Sequence, residues 1–184
     1  MHSYAGIGSR HISKKEETLL HKIAKILLAK GYVLYSGGAE GSDQTFELSC
    51  EGHGVSFRPW VGFNYHLEHQ IHKVVCHSKE SIDSIFEYHP APNRLSEAAK
   101  KLMSRNYFQV NGVDHLPGVD FVVCCADVKN GEVQGGTGQA VRIATARNIP
   151  VINIRSPFWE SSINRIPIVE HVSRADLESN LPNM

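Results

Sequence analysis

Short apolar runs alternate with helical spacing along this chain, and glycine-rich polar segments separate the two. Tyr4-Ala5-Gly6-Ile7-Gly8-Ser9-Arg10 reads as a short strand that breaks into a glycine turn. Residues 14–29 carry Leu19, Ile23, Ile26 and Leu27 at helical spacing. Ser13 with Glu16 three positions on is a capping-box pattern, and Gly31 stops this first helix. Tyr32-Val33-Leu34-Tyr35 is the second strand. Ser36-Gly37-Gly38-Ala39-Glu40-Gly41-Ser42-Asp43 is a second glycine turn, and a helix follows over about residues 42–50. Val55-Ser56-Phe57 is the third strand, continued by the aromatic, irregular segment 58–64. Residues 65–77 give no clear period. Ser78 or Ser81 starts a short helix reaching Phe86, and residues 89–93 break it. Residues 96–108 read as helix with Ala98, Ala99, Leu102 and Met103 on the buried side. Residues 119–125 form the strongest strand, nearly continuous and apolar as a central parallel strand should be. Residues 131–138 read as a polar glycine-rich loop, 139–147 as helix, and 149–154 as a strand with Pro150 near its start.

Strand, loop and helix in this repeating order predict an α/β fold, a three-layer sandwich around a mostly parallel sheet. The 184 residues suit a single domain, residues 1–184, with a C-terminal extension from about 157 to 184. That tail carries apolar Ile163, Ile166, Ile168 and Val169, ready to pack on the core or on a partner. Lys plus Arg and Asp plus Glu each number 19, so the formal net charge is zero. A neutral chain has no general electrostatic drive toward nucleic acid or anionic membrane, which disfavours nucleic acid as a partner except through a local basic patch. Neutrality also does little to keep copies apart, which leaves self-association open. The four cysteines, Cys50, Cys76, Cys124 and Cys125, form no CxxC pair and read as reduced, mostly buried thiols. The first residues have no signal-peptide pattern, and no apolar run has membrane-spanning length. A cytoplasmic protein without a membrane partner is the expectation.

Three glycine segments follow predicted strands, and in a parallel sheet they share the carboxyl edge, the usual binding side. Glycine lets a backbone approach a ligand, and free amides at helix N-termini favour phosphate. The first and second segments supply Gly6, Gly8, Ser9 and Arg10, then Ser36, Gly37, Gly38, Ala39 and Asp43. The third supplies Gly135, Gly136, Thr137, Gly138 and Gln139, with Arg142 one turn deeper. The dinucleotide fingerprint fails, because His11 stands at the third glycine position and Tyr35-Ser36 replaces the ribose-binding acid. The Walker pattern fails too, since Gln139-Ala140 follows Gly138. An ordinary NAD dehydrogenase or P-loop NTPase is therefore not expected, and no cofactor is implied.

At Ser36-Gly37-Gly38-Ala39-Glu40-Gly41-Ser42-Asp43 the chain resembles the superfamily that joins DNA-processing protein A to the Lonely Guy and lysine-decarboxylase-like proteins. Gly135-Gly136-Thr137-Gly138 resembles the Lonely Guy motif less completely, and the whole pattern is similar to small phage proteins. The resemblance implies a Rossmann-like fold and a homo-oligomer. It also implies single-stranded DNA binding, cleavage of the N-glycosidic bond of nucleoside monophosphates, or sensing of cyclic or NAD-derived signals. A phage relative would sequester such a signal against host defence, in the host cytoplasm. The motif's glutamate is replaced here by Arg142, and a glycosidic hydrolase needs a carboxylate. Glu47 and Glu40 are the candidates for that catalytic role, either of them reading equally as a solvated helix residue.

From these residues the leading expectation is a binder of a phosphate-bearing nucleotide or NAD-derived metabolite. Arg10 would fork onto phosphate, and Ser9 and Ser36 would bond it or cap helices. Asp43 would orient a ribose or stabilise its helix N-terminus. Trp60 and Phe63 would stack on a base whose edge Asn64 reads, or pack in the core. Arg105, Asn106 and Tyr107 are further candidates to close the pocket. The alternatives are a nucleotide N-glycosidic-bond hydrolase and a single-stranded DNA-binding accessory protein. His66, His69 and His72 share a helical spacing, but the bland reading is surface histidines and no metal site is assigned.

Overall fold

The computed structural model describes residues 1–64 and 70–168. Six parallel strands form one sheet: β1 (Ser3–Gly8), β2 (Val33–Ser36), β3 (Gly54–Arg58), β4 (His72–Val75), β5 (Phe121–Cys125) and, after the hairpin below, β8 (Val151–Asn153). Its order is β4-β3-β2-β1-β5-β8. The chain walks outward from β1 to β4, then returns to place β5 on the other side of β1, where Ala5 pairs Val122. The carboxyl ends of β1 and β5 thus flank the switch point at which open α/β sheets bind ligands. The helices are α1 (Lys14–Ala29), α2 (Ser42–Ser49), α3 (Lys79–Tyr88), α4 (Glu97–Asn111), α5 (Gly135–Ala146) and α6 (Trp159–Asn164). A two-stranded hairpin, β6 (Val128–Lys129) with β7 (Glu132–Val133), stands between β5 and α5.

Alternation along each strand divides the core into two apolar layers. Tyr4, Leu34, Phe121 and Val123 face α1 and α2, meeting Leu20, Ile23, Leu27 and Phe46. Ala5, Tyr35, Val122 and Cys124 face the other way, toward Phe108, Val110, Ala140 and Ile143 of α4 and α5. This is the expected Rossmann-like three-layer α/β sandwich. Gly6 lies in the tightest part of the first layer: a Cβ there would stand 2.6 Å from the Leu34 side chain and 2.7 Å from Phe46. Gly6 therefore serves strand-to-helix packing. Gly6→Ala is expected to lose about 1–3 kcal/mol by overpacking, read as a lower urea midpoint with an unchanged slope.

Several boundaries depart from the sequence reading. The Ser13–Glu16 capping box forms as expected, but α1 buries Leu20, Ile23, Ala24 and Leu27, and Ile26 is exposed. Helix α4 buries Ser104, Arg105, Asn106, Phe108, Gln109 and Val110; Ala98 is exposed, and Ala99, Leu102 and Met103 are only half-buried. Residues 135–138 are the first turn of α5, not a loop. In the tail Ile163 and Ile166 pack into the core and Ile168 is exposed. Of the three spaced histidines only His72 lies among the described residues, in β4; His66, His69 and Val169 fall outside them. All four cysteines are free thiols, three of them buried and Cys76 half-buried. Among the described residues no group of three or more His, Cys, Asp or Glu side chains is placed to hold a metal ion, and no helix is long and apolar enough to cross a membrane.

Candidate functional site

A cavity of about 350 Å³ opens at the switch point. The end of β1 supplies Gly8, Ser9, Arg10 and His11; the β2 side supplies Ala39 and Asp43; and the start of α5 supplies residues 134–137. Helix α4 closes it with Leu102, Met103, Arg105, Asn106 and Gln109, and Asp127 stands at the end of β5.

The N-terminus of α5 lacks a side-chain cap. Its N-cap is Gln134, whose side chain donates instead to the Glu132 carbonyl at 2.8 Å. The first backbone N–H groups of a helix have no intrahelical partner, so those of residues 135–137 meet the cavity with the helix dipole behind them. Asn106 Nδ2 fixes this end by donating to the Gly136 carbonyl at 2.9 Å. Arg10 is exposed at the mouth. Its loop is built on Ser9, whose N–H donates to the Cys125 carbonyl at 2.7 Å and whose hydroxyl accepts the His11 N–H at 3.0 Å. The Ser9 hydroxyl is thus used in shaping the turn.

Asp43 forms the floor. It is buried, and its two carboxylate oxygens accept the Gly8 N–H at 3.2 Å and the Ala39 N–H at 3.4 Å. One side chain therefore ties the β1 turn to the β2 turn. Arg105 Nη1 stands 3.9 Å from it. Burial pushes the Asp43 carboxyl up to about 6; the Arg105 cation opposes this rise and the Glu47 charge adds to it. Burial in turn lowers the Arg105 guanidinium from its usual range, against the attraction of Asp43.

The second glycine turn is filled by the protein's own cations. Gly38 has φ +66°, which glycine adopts without strain, and a Cβ there would overlap the Arg58 guanidinium. Arg58 Nη1 donates to the Gly38 carbonyl at 3.0 Å, and Arg105 Nη1 donates to the Gly37 carbonyl. Ser36 is buried beneath them. Gly37, Gly38 and Ser36 accordingly shape the wall without lining the cavity.

The remaining candidates separate from it. Glu47 is neither solvated nor in the cavity: it is buried, accepts the Ser56 hydroxyl, and pairs with Arg58 Nη2 at 2.9 Å. Glu40 is exposed, and the cavity's carboxylates are those of Asp43 and Asp127. Gln139 is buried and donates to the Ser84 carbonyl at 3.0 Å. Arg142 faces a different cleft beside Glu87 and Glu132. Gly138 packs on the hairpin, where a Cβ would stand 2.3 Å from the Val133 carbonyl oxygen. Trp60 and Phe63 are half-buried and pack edge to face at 5.1 Å, and Arg105 lies 6.0 Å from the Phe63 ring centre. Asn64 Nδ2 donates to the Gly38 carbonyl at 2.9 Å, which pins this segment to the second turn. Gln109 and His11 were missed by the sequence reading. A signal for Gln109 existed: the polar residues Arg105, Asn106 and Gln109 recur on a helix that must also cover a sheet.

No family model and no curated protein matches the chain. Solved structures do. DNA processing protein A from Helicobacter pylori, described by its single-stranded DNA binding mode, superposes with TM-score 0.53 at 16% identity, over 81% of this chain and 63% of that one. DNA processing protein A (DprA) from Streptococcus pneumoniae gives TM-score 0.54 at 15% identity, over 100% of this chain and 63% of that one. The chain thus spans less than two thirds of the length of either. Its Rossmann-like fold is that of DNA processing protein A.

Proposed function

We propose that the chain binds single-stranded DNA and holds one nucleotide of the strand, phosphate and base, in the switch-point cavity. The observation that carries this is the convergence there of the uncapped start of α5 with Arg10, opposite the apolar wall of Leu102 and Met103. Backbone amides at a helix N-terminus suit a phosphate, Arg10 suits a fork onto it, and the wall suits a base. The structural likeness to a protein described by its single-stranded DNA binding mode supports DNA over the metabolite that the neutral composition favours. Trp60 and Phe63, on the neighbouring β3 loop, would meet the next base.

The test is fluorescence anisotropy of a labelled oligonucleotide across a salt series. Binding is expected to weaken with salt, each neutralised phosphate adding about −0.7 to the log–log slope. Arg10→Ala is expected to weaken binding roughly fivefold to tenfold and flatten that slope by about 0.7. Unchanged affinity and slope in this variant would move the phosphate elsewhere. A free nucleotide is the second reading, favoured by zero net charge and by a cavity of one small molecule's size. A mononucleotide that displaces the oligonucleotide at comparable concentration selects it.

A further inference from the structure

A strand that leaves one nucleotide in the cavity has to continue along the carboxyl edge of the sheet. On one side of β1 that edge leads to the β3 loop; on the other it leads past β5 to β8. Two strand spacings, about 10 Å, separate β1 from β8, a distance that about three stacked nucleotides cover. Arg155 stands on this path. Its Nη1 donates to Asp127 at 2.8 Å and its Nη2 to the His11 carbonyl at 3.1 Å. Asp127 and His11 line the cavity, and Arg155 lines a groove of about 810 Å³ between α1 and the segment after β8. Leu19, Ile154 and Trp159 give that groove apolar surface, and Lys15 and Lys22 flank it. The two lysines lie about 10 Å apart along the helix. Both are exposed and unpaired among the described residues, whereas Lys14 and Lys25 pair with Glu17 and Glu51. Glu16 is taken by Arg155 at 2.6 Å. Glu160 is then the one unpaired carboxylate of the lining, and the free charge of the groove is positive. Next to Trp159, Phe158 is 84% exposed with φ 71°. A bulky side chain in the left-handed region is strained, so the fold holds this ring in water at a cost.

We propose that this groove is a second nucleic-acid subsite: the strand held in the cavity passes Arg155 and continues along α1, where Lys15 and Lys22 neutralise its phosphates and Phe158 and Trp159 stack on its bases. This rests on the single-stranded DNA reading above. Cations interleaved with aromatic rings suit a single strand, because every phosphate is charged and every base has a face to stack. A chain of zero net charge attracts a polyanion only where its free cations are gathered. Continuity with the cavity through Arg155, Asp127 and His11 makes the occupant the same strand.

The measurement is the anisotropy of two labelled oligo(dT) strands, a long one of about twelve nucleotides and a short one of about three. Wild-type protein is expected to bind the long strand more tightly and with the steeper salt dependence. The double variant Lys15→Ala with Lys22→Ala should weaken the long strand roughly tenfold and flatten its log–log salt slope by about 1.4, while the short strand stays within about twofold. Phe158→Gly removes a ring that the fold does not bury and suits the backbone there. Its thermal stability should hold while long-strand affinity falls at least about fivefold, as the loss of one base stack requires. Arg10→Ala is the contrast, because it should weaken both lengths. Equal losses on both lengths in the groove variants, or unchanged long-strand affinity and slope, overturn the second subsite and leave the cavity reading intact. Wild-type protein that binds neither strand overturns the DNA reading and this subsite with it.

Discussion

Glu47→Ala is expected to cost about 3–5 kcal/mol of stability, because it strands a guanidinium in the core. Both side chains of the Glu47–Arg58 pair are almost wholly buried, at 1% and 0% exposure. With the carboxylate gone, Arg58 keeps the Gly38 and Phe63 carbonyls as acceptors but has no counter-charge. Glu47→Gln preserves the shape and removes the charge, so most of the loss should remain. Urea unfolding reads both. The double variant Glu47→Leu with Arg58→Met should cost clearly less than the sum of its parts, since it removes the stranded charge itself. Some loss persists, because Arg58 also holds the second glycine turn. A catalytic Glu47 would behave in the opposite way: its removal would spare stability and abolish turnover. A stability loss within about 0.5 kcal/mol, the size of an ordinary surface change, would return Glu47 to the list of functional carboxylates.

The same pair explains where the sequence was legible and where it was not. Strand–turn–helix grammar placed β1, α1, β2, α2 and β5 because each is long enough, or apolar enough, to show its period. Strand β4 is four residues beside an aperiodic stretch, too short for any pattern. Helix α5 begins on Gly135-Gly136-Thr137-Gly138, residues with poor helix propensity, so tertiary packing on β5 and α4 sets its start. The hairpin before it did carry a signal: Asn130-Gly131, with φ of 53° and 80°, is the pairing that two-residue hairpin turns require. At the cavity, Arg10 stood out in the sequence by its place after the first glycine turn and Asp43 by its place at the end of the second, and both line it. What the glycines are for was not legible. A glycine that clears a ligand and one that clears Arg58 or Phe46 look alike in one dimension. Helix α4 misled for a related reason: its apolar positions suggested one buried face, but the sheet edge and the cavity bury a polar one, and the ionic partners lie far apart in sequence.

The pH dependence of stability should isolate Asp43. Its carboxyl rises from an ordinary 3.8 to about 6 in the folded chain, burial being the chief cause. A carboxyl raised on folding stabilises the native state most below its unfolded value, where it is protonated in both states. The contribution is lost as pH climbs through the folded value, because the unfolded chain gives up its proton first. Between about pH 4 and pH 7 this one group should therefore remove on the order of 3 kcal/mol. Glu16 works in the opposite sense: its hydrogen bonds and charge contact with Arg155 lower it to about 2, so its contribution is present above the ordinary carboxylate range and lost in acid. The comparison that separates them is wild type against Asp43→Asn. The variant keeps Glu16 and cannot ionise at 43, so its stability relative to wild type should rise by about that same 3 kcal/mol from pH 4 to pH 7. An asparagine accepts through one oxygen only, so one of the Gly8 and Ala39 amides loses its partner and the variant starts lower in acid. The slope of the difference, not its sign at one pH, is the diagnostic. A difference flat across this window would mean that Asp43 titrates as an ordinary carboxylate, and that the floor of the cavity is wetter than its burial implies. A slope of the expected size would carry over to binding: a ligand that brings a positive or hydrogen-donating group to the floor would favour the ionised carboxylate, and its affinity would rise through pH 6 in wild type and not in the variant.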